Sequence, residues 1–593
     1  MIPRARAYVL LLAFGGGAAW AQAPAAARLT PNLADNIARP PRYTPDGGDF
    51  VITNGAEFFN RPLYGGNTAF RVDAGDRPEF SLYLPGRGGN LRFGLRAGGR
   101  ANWLHEAATV VARYRPGEMR YEIRDPLLGP GGVLRLAAIA LDQTDGLIVR
   151  AEYVAGVADP GQPASARPAA PLDLVFAYGG ANGQRGQRDG DIGTERVPIS
   201  EYFQLRPEFC RDDTFTIAGD AFTLASPPAT IAGVLPAGAR PAVADAAQWS
   251  DCAGLLASAG TATDRPVIVG RVELGNGTPL FFLLQRITAV GAGAGDLATY
   301  REVTAPRPGR TAPPVTYPLP PAYRADELPA IFAAAEAHFA ALRGRVAVDT
   351  PDPYLNAAVG ALDVAADAVW DGPADLIMHG AIAWRTPLLG WRGPYALDAL
   401  GWHDRARRYL TTWAARQNTE PVPARLPPAD TGANLARNEA ALHSNGDLSN
   451  SHYDMNLVYM DVLFRHLLWT GDLDLARQLW PVIERHLAWE RRLFRREFGA
   501  DRLPLYETYA DIWASDDLEY DGGGVAYASA YNYYDNRMAA RLARLLGHDP
   551  APYQREADLI ARAMREYLWL PARGGFAEFK DLLGRQLVHP SAG

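Results

Sequence analysis

Hydrophobic and polar positions alternate in short runs over the first half of the chain, then change period in the second. From about Gly47 to Val303, segments such as FVITN, AFRVD, EFSLYL, LRFGL, VVARY, MRYEI, LIVRAEYV, LDLVFAY, PVIVGRVEL and LFFLLQRI follow at close intervals. Gly, Pro, Asp and Asn separate them, as tight turns require. Strands this short, with no helical pattern between them, predict an antiparallel β-sandwich over residues 46–303. The run APRPGRTAPPVTYPLPP then marks a semi-rigid boundary, taken as a Pro-rich linker over residues 304–324.

Beyond the linker, apolar residues recur at three- and four-residue spacing. The pattern predicts helices over Glu327–Arg345, Pro353–Trp370, Tyr395–Ala415, Tyr453–Trp469, Leu473–Arg495, Tyr527–Leu546 and Pro552–Trp569. Asp472 suits an N-cap, and Pro481 should kink its helix or divide it. These helices fill residues 325–593, and the loops between them are rich in Trp, Tyr, Gly and Asp. Such loops tend to carry function, because the helices hold them in place.

Composition adds limits. Hydrophobic residues make up 48% and charged residues 21%, so a folded chain is expected. The net charge of −7 gives no basic footprint and argues against a nucleic-acid partner. Thirteen Trp and 26 Tyr offer flat faces with polar edges, suited to sugar rings and equally to ordinary cores. The start carries Arg4 and Arg6, a short apolar run and Ala19-Trp20-Ala21, the three parts of a secretory signal peptide over residues 1–21. The mature chain is expected from near Gln22, in the periplasm or outside the cell, with residues 22–45 as an N-terminal linker. No later apolar run is long enough to insert in a membrane. In such a compartment Cys210 and Cys252 are candidates for a disulfide, or two separate buried thiols; spacing does not decide between them.

Glycoside hydrolysis needs two carboxyl groups flanking the scissile bond. The window LPLYETYADIWASDDLEYD, Leu503–Asp521, packs six carboxylates among four aromatics in what reads as a loop. Glu507 sits beside Tyr506 and near Tyr509. Aromatic walls would desolvate it and favour the protonated acid; a plain solvated carboxylate is the other reading. Asp516 and Asp517 could accept sugar hydroxyls while Trp513 stacks on the ring. DLEYDG also resembles the start of a calcium loop, but position twelve would be Ala528 where Glu is required, so calcium is the weaker reading. Capping and solvation would account for Asp521 as well. The loop His379–Asp398 twice sets Arg after Trp, at Trp384-Arg385 and Trp391-Arg392, and ends at Asp398. Tyr453 and Asp454 open the next long helix. HEXXH, paired Cys/His spacings, a GxSxG elbow, a Walker loop and a strand–GxGxxG–helix unit are missing, so no metal site or cofactor is expected.

AWRTPLLGWRGPYALDALGWHDRARRYLTTWAARQ (Ala383–Gln417) and SHYDMNLVYMDVLFRHLLWTGDLDLARQLWPVIERHLAWE (Ser451–Glu490) resemble helical pairs of the six-hairpin glycosidases, which have an (α/α)6 barrel. NGAEFFNRPLYGGNTAFRVDAGDRPEFSLYLPG resembles a domain of unknown function that precedes such barrels in secreted proteins. YETY followed by GGGVAYASAYNYYDNRMA is similar in placement to the general-acid segment of maltose-phosphorylase-type barrels, though it departs from their Asp-Glu-Tyr-His wording. The resemblance implies a multidomain β + α chain: an antiparallel β-sandwich followed by a partial (α/α)6 helical-hairpin barrel. About seven helices against six full pairs suggests a C-terminally shortened chain. It further implies a secreted glycoside hydrolase, inverting by two carboxylates, with Glu507 as acid. Trp384, Arg385, Trp391, Arg392, Asp398, Tyr453, Asp454, Trp513, Asp516 and Asp517 would line the carbohydrate site. A phosphorylase, a polysaccharide lyase on a similar toroid and a non-catalytic glycan-binding remnant are the alternatives.

Overall fold

Strands such as LFFLLQR read as nearly unbroken apolar runs, and the fold explains why. In the structure, a computed structural model, Leu147 and Val149 enter one hydrophobic core while Ile148 between them enters another. Phe282 and Leu284 likewise face one way and Leu283 the other. Successive strand residues point to opposite faces, and here both faces are covered, so alternation disappears. The structure describes residues 41–84, 86–156, 171–184, 199–227, 229–288, 322–381, 385, 387, 389–390, 393–419, 421, 448, 454–507 and 523–588. The expected signal peptide and residues 304–321 of the linker lie outside them. Pro45–Gly593 form one compact unit and Met1–Thr44 another.

The first half holds two large antiparallel sheets. A ten-stranded sheet contains, in spatial order, Thr109–Arg115, Glu118–Arg124, Val133–Ala140, Gly146–Val154 and Leu280–Arg286. An eight-stranded sheet runs Arg240–Asp245, Pro266–Glu273, Asp173–Gly179, Arg87–Ala97, Glu79–Tyr83, Arg71–Ala74, Arg61–Tyr64, with Arg100–Trp103 paired to Arg87–Ala97. The sheets meet through aromatic rings. Phe93 of the second lies 5.1 Å from Phe282 of the first, and Phe80 lies 6.0 Å from Tyr121. Edge-to-face pairs of this kind fill the centre of a sandwich.

Helices occupy the second half. They are α1 Leu328–Arg343, α2 Pro353–Ala368, α3 Tyr395–Ala399, α4 His403–Ala414, α5 Asp454–Thr470, α6 Leu473–Leu493, α7 Ala526–Leu546 and α8 Ala551–Ala563. α1 lies on the outer face of the ten-stranded sheet, where Phe332 meets Phe281 at 5.8 Å. Gly117 lets the turn there come close: at φ +92° it has no Cβ, which would sit 2.3 Å from the Phe339 ring. A second contact involves Asn67, whose Nδ2 donates to the Asp367 carboxylate and carbonyl, each at 3.0 Å. Arg405 donates to Asn67 at 3.0 Å and to Asp367 at 2.7 Å, with its guanidinium over Trp370 and Trp402.

Several expectations need adjusting. The segment expected as one helix over Tyr395–Ala415 is two, split where Gly401 adopts φ +73°. α6 runs through Pro481 undivided. Its Asp472 N-cap accepts from Leu475 N at 2.9 Å, as the sequence suggested. The loop expected after α6 begins instead as a hairpin, Arg495–Phe498 with Leu503–Tyr506. Among the described residues no helix is long and apolar enough to cross a membrane.

Candidate active site

Glu507 follows the hairpin that leaves the C-terminus of α6. Its backbone N–H donates to Phe494 O at 2.9 Å, which ties it to the residue capping that helix. Leu505 packs against Gly524, where a Cβ would fall 2.5 Å from the leucine side chain, so the chain entering α7 passes close by. The Glu507 side chain is fully buried. Its carboxylate is salt-bridged to Arg496 Nη2, and Arg496 Nη1 donates to Leu493 O at 2.9 Å and Arg495 O at 3.1 Å. One guanidinium therefore closes the end of α6 and holds Glu507.

This corrects the environment read from the sequence. Tyr506 is no wall for Glu507. Its hydroxyl donates to Glu556 at 2.9 Å, and its ring joins Trp489, Phe494 and Ile560 in a separate apolar cluster. Burial, with Glu556 beside it, pushes the phenol well up. Adjacent residues of an extended strand face opposite sides, so Tyr506 and Glu507 part company. Tyr509 lies outside the described residues.

Two other expected substrate contacts also have different work. Arg385 donates to Ala368 O at 2.8 Å, Trp370 O at 3.2 Å and Asp371 at 3.3 Å, and is buried. It closes the C-terminus of α2, where a cation complements the exposed carbonyls. Asp398 is held by two histidines: His403 Nδ1 lies 2.8 Å away and His466 Nδ1 3.0 Å away. Burial pushes this carboxyl up, but the two imidazoles hold it below the usual range. It joins α3, α4 and α5. Trp384, Trp391, Arg392, Tyr453, Trp513, Asp516, Asp517 and the calcium-like DLEYDG pattern lie outside the described residues, as does the side chain of Asp454. Cys210 and Cys252 correct the disulfide candidate: they are free and buried in one small cluster with Trp103 and Trp249.

What the sequence did not single out is a polar seam between α5, α6 and α7. Asn456, His486, Asn532, Asp535 and Asn536 are all buried. Asn532 Nδ2 donates to the buried Glu490 at 3.2 Å, and Ser529 Oγ accepts from Tyr506 N at 3.0 Å. Tyr395 Oη and Arg465 Nε donate to Asp461 at 2.7 and 2.8 Å. Neither Asp535 oxygen and neither His486 nitrogen has a hydrogen-bond partner among the described residues. Burial pushes Asp535 well up, with the Asp461 and Glu490 charges adding, and burial pushes His486 down to about 3. Burial thus favours the neutral form of each group. Buried polar atoms in this state are ordinarily met by water or a ligand. A signal was available: the buried stripe Ala539, Leu542 continues back at helical spacing through Asp535, Asn532 and Ser529. Among the described residues no group of three or more His, Cys, Asp or Glu is placed to hold a metal ion.

A family model described as a domain of unknown function, DUF4450, matches residues 84–302. No curated protein matches the sequence. Among solved structures, the chain is similar to a bacterial glucoamylase complexed with acarbose, at 9% identity and TM-score 0.46, covering 89% of this chain and 72% of that one. It is also similar to a Family GH92 inverting mannosidase from Bacteroides thetaiotaomicron, at 11% identity and TM-score 0.36, covering 92% of this chain and 64% of that one. Both structural neighbours are glycoside hydrolases; neither lends a residue role to this chain.

Proposed function

We propose that the chain is an exported glycoside hydrolase acting on a carbohydrate, with Glu507 as one of its two reacting carboxyl groups. In this reading the helices form part of an (α/α)6 barrel mounted on the β-sandwich, and the reaction inverts the anomeric centre. The observation that carries it is the setting of Glu507. A fully buried carboxylate stands on a hairpin between α6 and α7, fixed by a backbone bond and a guanidinium. Holding a reacting group in one geometry is how a rigid scaffold lowers a barrier. The polar seam between α5, α6 and α7 holds buried hydrogen-bonding groups in a low-dielectric interior, a setting that stability alone does not favour.

The test is turnover of a panel of aryl glycosides and glycan oligosaccharides, read as released phenol or reducing sugar. Glu507→Gln keeps the size and most hydrogen bonding but cannot exchange the proton. It should lower kcat by on the order of 10²–10⁴-fold. Normal turnover by the variant would remove Glu507 from the reaction.

A further inference from the structure

The salt bridge at Glu507 bears on which half of the proton traffic this carboxyl handles. We propose that Arg496 is a positioning residue that keeps Glu507 a carboxylate, so that Glu507 accepts the proton of the attacking water instead of delivering one to the leaving oxygen. The inference rests on the glycoside hydrolase reading above.

The geometry supports it at three points. The other Arg496 contacts are the carbonyls of Leu493 and Arg495, which carry no formal charge, so the cation remains for Glu507. The Leu493 carbonyl ends α6, where the helix dipole favours a positive group. The neighbouring carboxylates have other partners than Arg496. From α8, Glu556 is held by Arg495 at 2.8 Å and by the Tyr506 hydroxyl at 2.9 Å, with Arg491 of α6 at 4.0 Å. Glu490 of α6 takes Asn532 of α7 at 3.2 Å and has the neutral His486 at 4.0 Å. To act as an acid, Glu507 would first have to give up its ion pair, and leaving its fully buried carboxyl without that partner is costly.

The water oxygen bonds to the anomeric carbon as its proton passes to Glu507. The glycosidic C–O bond breaks with its electron pair going to the leaving oxygen, and a second carboxylic acid protonates that oxygen.

Acid and base differ in their response to the leaving group. Glu507→Gln, Arg496→Gln and Arg496→Lys are assayed on phenyl and dinitrophenyl glycosides across pH. Glu507→Gln should lose the same factor on both leaving groups, because a better leaving group does not replace a base. Arg496→Gln should move the acidic limb of kcat/KM up by about one pH unit or more, and Arg496→Lys should largely restore it. A Glu507→Gln loss that shrinks on the dinitrophenyl glycosides, with Arg496→Gln moving the alkaline limb, would overturn the inference and leave the hydrolase reading standing. No loss in Glu507→Gln, or no turnover by the folded wild-type chain, would overturn the reading itself. Should Arg496→Gln fail to fold, the leaving-group comparison on Glu507→Gln decides alone.

Discussion

The sandwich and the seam between α5, α6 and α7 treat buried charge differently. In the sandwich nearly every buried ion has an opposite partner. Arg92 forks onto Glu79 at 2.8 and 2.6 Å, between the rings of Trp103 and Trp249. Arg71 pairs with Asp73 at 3.0 Å, Asp145 with Arg286, and Glu118 with Arg120 at 3.0 Å. Between α5, α6 and α7, by contrast, Asp535 and His486 are buried without hydrogen-bond partners among the described residues. A structure selected only to hold together satisfies its buried polar groups. The sandwich therefore reads as a platform, and the strain of unmet polar atoms gathers in the half that carries Glu507. Such departures from local consistency are expected at functional sites.

The largest stability effect should come from breaking the rule where it is kept. Glu79→Ala leaves the Arg92 guanidinium, 11% exposed, without its charge partner, and strips Asn90 of an acceptor. Removing one member of a buried pair costs about 3–5 kcal/mol, which urea unfolding would register as a large fall in midpoint. A loss under 1 kcal/mol would mean that the aromatic rings alone hold Arg92, and the contrast between the halves would weaken.

How much of this was legible depends on the range of the interactions. Strands and helices follow from local period, and most helix ends lie within a few residues of expectation; the cap at Asp472 needs only Leu475 to be recognised. The hairpin at Arg495–Tyr506 was missed because each arm is four residues, too short to display a period. Arg385 and Asp398 were assigned to a pocket because Trp and Arg neighbours suit sugars. Their partners include Ala368, 17 positions away, and His466, 68 away, which nothing in the local pattern names. Glu507 was found as a carboxyl in an aromatic window, but its environment was not. Strand geometry turns Tyr506 aside and brings Arg496, from the opposite arm, onto the carboxylate.

The next effect tests the seam from the other side. Asp535 is raised in the folded chain, so folding takes up a proton once the pH passes the unfolded value of about 3.9. The stability it contributes is complete below that value and is lost as pH rises, by about 1.4 kcal/mol per pH unit, until the folded group ionises. Asp535→Asn removes this slope. The variant should be more stable than wild type at pH 7 and close to it at pH 4, by denaturant titration at both. A variant less stable at pH 7 would mean that the carboxyl is charged and matched by a bound group.

Asp213 is an exception within the sandwich and predicts a smaller, bounded effect. Burial pushes it up to about 7, against the pull of the Gly180 and Ala181 N–H groups at 3.0 and 3.2 Å. Its folded value again exceeds the unfolded one, so stability falls as pH rises from about 4 to about 7 and levels off above. Asparagine keeps an oxygen for both N–H groups. Asp213→Asn should therefore flatten the stability curve across that window and leave its shape above pH 7 unchanged. A curve unchanged between pH 4 and 7 would show that the carboxyl is solvated.

The smallest effect concerns the two thiols, and it asks whether the platform needs a covalent staple. Cys210 and Cys252 share a cluster with Val175, Val267 and Leu255 and are free. Burial raises both thiols, Cys252 to about 12 and Cys210 further, with nearby carboxylates adding to each. The thiolate is the reactive form, so almost none is present at pH 8. Iodoacetamide should modify the native protein far more slowly than the urea-unfolded chain, with two equivalents taken up only after unfolding. Because no bridge contributes to the sandwich, a reductant should leave its melting temperature unchanged. If a reductant lowers that temperature by several degrees, the cysteines are joined in solution, and the packing of Trp103 and Trp249 around two separate thiols would have to give way to a bridged arrangement.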